Sequence, residues 1–119
     1  MSEVTNDLDF FFSSTIDGGN ISWSPCEHVY LSVKEEEKTG VGLALYIKSK
    51  AQDTNLVESL LKIKFEEVSK YRDCYICMAP DYSVVIWMTL NNYEMSISTL
   101  EYSSHKLLDF FKSAESKFF

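Results

Sequence analysis

The chain has 119 residues, which is enough for one domain with a single hydrophobic core, and 45% of them are hydrophobic and 24% charged. This composition excludes a chain that is disordered throughout. The net charge of -7 and the pI of about 4.7 disfavour nucleic acid and anionic membranes as partners, because both attract clustered Lys and Arg.

The N-terminal sequence and the cysteine count indicate the compartment. Residues 1–12 lack the basic stretch and long apolar run of a secretory signal, and the longest apolar runs, such as Val84–Met88, are far too short for a membrane span. Three cysteines without a marker of export indicate reduced thiols. We therefore predict one cytoplasmic domain over residues 1–119.

Residues 8–16 predict a short helix, with a strand as the alternative. On a helix, the consecutive side chains of Phe10, Phe11 and Phe12 point in directions about 100° apart, so at least one of them should lie near the surface. With Ile16 and Trp23 they form either an apolar patch for a partner or a cluster beneath a loop.

A short strand near Ile21–Trp23 is followed by two stretches, residues 28–36 and 41–48, in which apolar and polar side chains alternate. This period of two predicts a hairpin, with Tyr30 on the polar face and a charged tip at Glu35–Glu37. Three glutamates without further pattern do not make a calcium loop.

Residues 53–70 predict a helix that Asp53 or Thr54 caps. Its apolar stripe consists of Leu56, Leu60, Ile63 and Val68.

Residues 74–78 and 83–90 again alternate, on either side of a turn at Pro80-Asp81, and predict a second hairpin that ends at Asn91-Asn92. Ser98 and Glu101 match a capping box and predict the start of a last helix, which extends to Phe118. The predicted fold is therefore α+β, with a twisted antiparallel sheet of about five strands and three helices in the order α-β-β-β-α-β-β-α.

Cys74 and Cys77 form a C-x-x-C motif, but on a strand two residues three apart point to opposite faces. They are then badly placed to share a metal ion or to close a disulfide, and the sequence offers no second ligand pair for zinc. We interpret both cysteines as small apolar side chains and predict no metal site.

The sequence shows no further catalytic or cofactor-binding pattern. His28 and His105 are the two histidines, and neither has a nucleophile or carboxylate at a suggestive spacing. Gly18-Gly19 lies between Asp17 and Asn20 and predicts a turn rather than a phosphate-binding loop. We expect a protein that is not an enzyme and has no cofactor.

The strand at residues 83–90 is apolar on both faces, with Val85 and Trp87 opposite Val84 and Ile86. An antiparallel sheet in a small monomer usually has one face in water. The apolar face that contains Val85 therefore needs to be covered, and a second subunit could cover it, which predicts a dimer. The alternative is that the terminal helix covers this face.

The order of elements resembles the class I chaperones of bacterial type III secretion systems. Asn55–Leu61 corresponds to the central helix of that family, residues 74–78 and 84–90 to its paired strands, and Leu107–Ala114 to its last helix. The resemblance covers residues 55–116 well. The N-terminal region departs from the family, because its first helix is shorter and one strand lacks a counterpart.

The resemblance implies a bacterial cytoplasmic chaperone that keeps an extended N-terminal segment of a secreted effector competent for export. It implies a homodimer, or a heterodimer with a related chaperone. The implied dimer interface consists of Leu56, Leu60, Ile63, Val85 and Trp87. The implied effector-binding residues are Phe10, Phe11, Phe12, Ile16, Trp23 and Tyr30.

Two other functions are compatible with the sequence. The acidic charge and Glu35–Glu37 also fit a small immunity or inhibitor protein that masks a basic site on a toxin or enzyme, and such binding would weaken steeply with salt. A hydrolase that uses His28 or His105 is the least supported.

Overall fold

The computed structural model describes residues 3–36, 40–52, 55–90 and 96–114. The elements in chain order are β1 (Glu3–Thr5), α1 (Leu8–Ile16), β2 (Ile21–Cys26), β3 (Val29–Glu36), β4 (Gly40–Ile47), a 3₁₀ turn (Ser49–Ala51), α2 (Leu56–Glu66), α3 (Val68–Tyr71), β5 (Tyr75–Met78), β6 (Val84–Leu90) and α4 (Ile97–Ala114).

The strands form one sheet in the order β1-β2-β3-β4-β6-β5, so the predicted α+β class is confirmed. The described sheet has six strands rather than five, and it is not wholly antiparallel. The additional strand, β1, pairs parallel with β2, with Glu3 opposite Ile21. The predicted helix count was also too low, because the central helix divides into α2 and α3.

The two predicted hairpins are present and meet in the middle of the sheet, where β4 pairs with β6. Their registers place Leu31, Leu45 and Ile86 side by side on one face. All three side chains are fully buried and belong to a core that also contains residues of α1, α2 and α4. The helices therefore pack on this inner face of the sheet.

Helix α1 confirms the preferred interpretation of residues 8–16. Asp7 caps it, since its Oδ1 accepts a hydrogen bond of 3.2 Å from the backbone N–H of Phe10. Phe11 and Phe12 are buried in the core, whereas Phe10 is 48% exposed. The expectation that at least one of the three phenylalanines lies near the surface is thus confirmed.

The central helix follows the prediction as far as Glu66. Leu56 and Leu60 are buried in the core, but the placement of Val68 on the same stripe was wrong. Glu67 leaves the helical conformation, with φ -119° and ψ 55°, and the following turn of α3 leaves Val68 53% exposed. A break of this kind changes the direction of every later side chain.

The capping box at Ser98 was also wrong. Helix α4 begins at Ile97, and the hydroxyl of Ser96 accepts the hydrogen bond from the backbone N–H of Thr99 at 3.2 Å. In the helix, Ser103 and Ser104 are buried although both are polar.

Contacts between α3, α4 and the chain that enters β5 fix this corner of the molecule. The rings of Tyr71 and Phe110 stack with 4.5 Å between centroids, and Lys106 of α4 forms an ion pair of 2.9 Å with Asp73. These contacts hold β5 in its place at the edge of the sheet.

Several predicted features lie outside the described residues: the Asp53 or Thr54 cap, the break at Asn91-Asn92, the end of the last helix at Phe118, and the part of the hairpin tip at Glu37. Glu35 and Glu36 belong to strand β3 rather than to a turn. In the described part of the chain, no helix has the length and apolar character needed to cross a membrane.

Candidate interaction surfaces

The outer face of the sheet is the one that faces away from the helices. Ala44, Val85 and Trp87 point to it, because they alternate along β4 and β6 with side chains of the core. Ala44 and Val85 are nearly buried, although neither belongs to the main core, and Trp87 is half-buried. The outer face thus carries a second, smaller apolar cluster.

This cluster surrounds a depression of about 440 Å³, which we name the sheet groove. Its lining residues are Lys34, Val41, Gly42, Ala44, Tyr46, Cys77, Ala79, Val85, Trp87 and Thr89. None of these residues belongs to a helix. The terminal helix α4 packs instead on the inner face, where Leu107 and Phe111 join the core. The alternative that α4 covers the Val85 face is therefore wrong for the described residues.

The pairing of the strands explains the shape of the sheet groove. Gly42 and Ala44 are small and form its floor, and their neighbours on β6 are Thr89 and Trp87. The Trp87 ring packs against Tyr75 of β5 with 4.8 Å between centroids. On the other side, Lys34 of β3 places its Nζ 5.5 Å from the centre of the Tyr46 ring, in a cation–π contact.

Strand β5 is an edge of the sheet, and its outer side has no partner strand among the described residues. The backbone N–H of Ala79 donates to the carbonyl of Ser83 at 2.9 Å, so Ala79 faces β6. By the alternation of an antiparallel ladder, Cys77 and Tyr75 also bond to β6, whereas the backbone groups of Ile76 and Met78 point outward. This edge can therefore bind an added strand.

A second apolar surface lies on the helices. Leu61, Phe65 and Val68 are exposed by 54%, 83% and 53%, and we name them the helix stripe. They line a shallow depression of about 350 Å³ together with Lys64 and Arg72. Leu61 and Phe65 lie four residues apart on the side of α2 that faces away from the core, and Val68 of α3 lies beside them after the break at Glu67.

Lys64 connects the helix stripe to the sheet edge. Its Nζ donates hydrogen bonds to the carbonyls of Tyr71, Arg72 and Cys74, where α3 ends and the chain turns into β5. The same ammonium lies 5.3 Å from the centre of the Tyr75 ring. The helix stripe and the edge of β5 are therefore adjacent.

The residues predicted to bind a partner separate into four groups. Phe10 and Ile16 are exposed on α1, at 48% and 40%, whereas Phe11 and Phe12 have almost no surface to offer. Trp23 packs against the core and donates from Nε1 to the carbonyl of Asn6 at 3.2 Å.

Tyr30 lies on the outer face of the sheet, where it pairs with Tyr46 at the sheet groove. The structure thus brings Tyr30, rather than the N-terminal aromatic residues, close to the groove.

The residues predicted at a dimer interface also separate. Leu56 and Leu60 are buried in the core of this chain, and Ile63 packs partly against it. Val85 and Trp87 line the sheet groove on the opposite side of the sheet. A common interface that contains both sets stays a prediction, and the described surface does not bring them together.

The two cysteines of the C-x-x-C motif point apart, as their spacing predicted. Cys74 is fully buried, and this burial raises the pKa of its thiol to about 11. Cys77 is exposed at the sheet groove, and both are free thiols. His28 lies in the turn between β2 and β3 with Nε2 3.4 Å from Glu27, and His105 lies on α4, so the two histidines share no site. The described residues contain no cluster that could hold a metal ion.

The sequence over residues 6–104 matches the HrpV-like family. The chain belongs to that family. No curated protein matches this HrpV-like sequence. Its fold is similar to that of a chain in the heterodimeric complex ExoU–SpcU from the type III secretion system of Pseudomonas aeruginosa, with a TM-score of 0.52 and 12% identity. The similarity covers 90% of this chain and 91% of the other, so the two share a fold over nearly their whole length.

Two sets of surface residues in this HrpV-like chain were not predicted from the sequence. The helix stripe was overlooked because Leu56 and Leu60 already gave α2 an apolar side; a second set at 61, 65 and 68 was visible in the printed sequence. Gly42 and Ala44 were overlooked because they alternate along β4 with Val41, Leu43 and Leu45. In the sequence, small residues at such positions are indistinguishable from an ordinary solvent-exposed face.

Proposed function

We propose that this protein is a type III secretion chaperone, a non-enzymatic protein that binds an extended segment of a secreted effector and keeps it competent for export. The observation that carries the proposal is the uncovered outer face of the sheet, where the sheet groove lies beside an unpaired strand edge. Membership of the HrpV-like family and the fold shared with a chain of a heterodimeric complex from a type III secretion system support it.

The physical logic of the proposal is that an unfolded client needs two kinds of contact. Its apolar side chains need an apolar surface, which the sheet groove supplies through Val85 and Trp87. Its backbone N–H and C=O groups need partners, which the outer edge of β5 supplies at Ile76 and Met78. Ordering a client segment costs conformational entropy, so a long wrapped interface has to offset that cost.

We further propose that two copies of the chain associate through the helix stripe. Phe65 at 83% exposure, between Leu61 and Val68, is unusual for a monomer in water. An interface of this kind is isologous, because the same residues of each copy meet across a two-fold axis. A heterodimer with a related chaperone would use the same surface. The buried Leu56 and Leu60 would then support the interface from within rather than form it.

The test uses the bacterial host of the chain. A strain that lacks the chain should secrete a normal set of proteins except for one or a few clients, and those clients should co-purify with a tagged copy. Quantitative mass spectrometry of the secreted fraction measures the first result. An unchanged set of secreted proteins, with no secreted protein in the purified complex, would contradict the proposal.

The salt dependence of client binding distinguishes this role from that of an acidic inhibitor. Contacts through the sheet groove are apolar apart from the single charge of Lys34, so the affinity should fall only modestly when the ionic strength rises. Binding that weakens steeply with salt, to a basic and folded partner, would favour the inhibitor.

A further inference from the structure

Gly42 lies in the middle of β4 and faces the outer side of the sheet, where the fold itself does not require a glycine. It pairs regularly with Lys34 and Thr89. A Cβ added there would meet the carbonyl oxygen of Met88 at 3.4 Å and Cε3 of Trp87 at 4.0 Å, both ordinary contacts. A glycine within a strand weakens it, and its presence there is typical of a place where a ligand approaches the backbone.

Gly42 and the neighbouring Ala44 keep the sheet groove open because their side chains are small. Larger side chains at these two positions would fill the space between Trp87 on one side and Lys34 with Tyr46 on the other. The volume of about 440 Å³ lies within the range of pockets that bury a ligand. Ala44 and Val85 lie at the bottom of this space and are almost inaccessible to water.

The charge around the sheet groove indicates what accompanies that apolar group. Within the described part of the chain, Lys34 is the one charged residue that lines the groove, and its ammonium has no ion-pair partner there. An acidic group beside the apolar group would pair with Lys34, whereas a basic group would be repelled.

We propose that the sheet groove is the anchor site for the client: it binds one aromatic or large aliphatic side chain of an extended segment, next to an acidic residue that pairs with Lys34. This inference rests on the proposed function, because it assigns the chemistry of the client. The edge of β5 is close enough to continue the same contact, since Cys77 of β5 lines the groove. Anchor residues in a preformed apolar pocket carry most of the affinity of such interfaces.

The experiment titrates isotope-labelled protein with a six-residue peptide, blocked at both ends, that contains one Phe, one Glu and otherwise Ser and Thr. The methyl signals of Ala44 and Val85 and the indole signal of Trp87 should shift. Replacement of the peptide's Phe by Ala should weaken binding about thirtyfold or more, the loss typical of an interface anchor. Replacement of its Glu by Lys should weaken binding as well.

Two variants of the protein complete the test. Ala44→Phe fills the groove and should abolish the shifts of Val85 and Trp87. Gly42→Val adds a smaller side chain, which disturbs the fold less, and it should weaken binding. Glu101→Phe is the matched control, because it adds the same side chain to an exposed position on α4, and it should leave peptide binding unchanged.

Equal affinity for the Phe and Ala peptides, or unaltered binding to both Ala44→Phe and Gly42→Val, would overturn the anchor site. So would self-association that Ala44→Phe abolishes while peptide binding persists, because the groove would then be an interface between copies. These results leave the proposed function intact if a secreted client still co-purifies. Peptide binding in the groove, with no secreted client in the purified complex, would instead contradict the proposed function but would still support the anchor site.

Discussion

The rings of Tyr75 and Trp87 lie in contact across β5 and β6, with centroids 4.8 Å apart and planes inclined by 33°. The two residues are directly opposite in the register of the strands. Tyr75 is 46% exposed and Trp87 is half-buried. Trp87 lines the sheet groove, and Tyr75 packs against its ring from the neighbouring strand.

The first prediction concerns the energy of this pair. In a double-mutant cycle with Tyr75→Ala and Trp87→Ala, we expect a coupling of about 0.5–1.5 kcal/mol in the free energy of unfolding, as for other aromatic pairs. Urea denaturation followed by circular dichroism measures it. As a control, Trp87→Ala and Tyr102→Ala should be additive within about 0.5 kcal/mol, because Tyr102 lies on α4 on the other side of the sheet. Additivity of Tyr75→Ala with Trp87→Ala would contradict the prediction.

The second prediction concerns the helix stripe. Phe65→Asp should lower the self-association of the chain at least tenfold, since it places a charge in the centre of an apolar interface. The monomer should keep its stability within about 0.5 kcal/mol, because the side chain of Phe65 is 83% exposed. Sedimentation equilibrium measures the association, and thermal unfolding measures the stability.

The matched control for Phe65→Asp is Tyr102→Asp, which replaces another exposed aromatic residue, at 64% exposure, outside the stripe. It should leave the association unchanged. If the two variants associate equally well, the helix stripe is not the surface that copies share.

The limits of sequence reasoning are visible in particular elements. The hairpins and the core side of α2 were predictable because burial on one face imposes a period of two or 3.6 on the apolar residues. Strand β1 was not, since three residues, of which Val4 is exposed, are too few to show a period. The break at Glu67 has no Gly or Pro to mark it, and tertiary packing decides it.

The surfaces were harder to predict than the fold. A residue such as Phe65 follows a helical spacing whether its side of the helix meets the core or water, so the pattern alone does not locate the interface. The sheet groove depends on which residues of β3, β4 and β6 become neighbours, and that register is a property of the folded chain. The apolar character of both faces of β6 was nevertheless visible in the sequence.

The third prediction concerns buried hydroxyls. Ser104 is 1% exposed, and its Oγ has no hydrogen-bond partner among the described residues. Ser104→Ala should therefore raise the free energy of unfolding by about 1 kcal/mol, because it removes an unpaired buried polar group and improves helix propensity. Chemical denaturation measures the change. Ser113→Ala, at an exposed hydroxyl that donates to the Asp109 carbonyl at 2.9 Å, should change it by less than about 0.5 kcal/mol. A destabilised Ser104→Ala would show that the hydroxyl has a partner.

The fourth prediction concerns acid stability. Lys48 Nζ lies 2.9 Å from Oδ2 of Asp81 at the turn between β5 and β6, and the backbone N–H of Ser83 donates to Oδ1 at 3.1 Å. The ion-paired hydrogen bond from Lys48, followed by the hydrogen bonds from Ser83, lowers the pKa of Asp81 from 3.8 to about 2. Because the folded pKa lies below the unfolded one, this contribution to stability is present above pH 3.8 and is lost as the pH falls towards 2.

Asp81→Asn tests this prediction. The difference in stability between the natural chain and the variant should be constant at neutral pH and should shrink between pH 3.8 and about 2. Lys48→Met should remove most of this pH-dependent difference, because it removes the largest cause of the lowered pKa. A difference that does not change with pH in this window would contradict the assignment.

The last prediction uses the three thiols. Cys77 is exposed at the sheet groove, whereas burial raises the pKa of Cys26 and raises that of Cys74 to about 11. Since the thiolate is the reactive form, iodoacetamide at pH 8 should label Cys77 first, and should reach Cys74 only when the chain unfolds. Peptide mapping by mass spectrometry follows each site. Occupation of the groove by the Phe-containing peptide should slow labelling of Cys77, and Ala44→Phe should remove that protection.

The raised folded pKa of Cys74 also means that its contribution to stability holds below pH 9.0 and is lost as the pH rises towards 11. Cys74→Ala should therefore lose less stability than the natural chain over that interval, and an equal loss in both would show that the thiol is not held in its neutral form by burial.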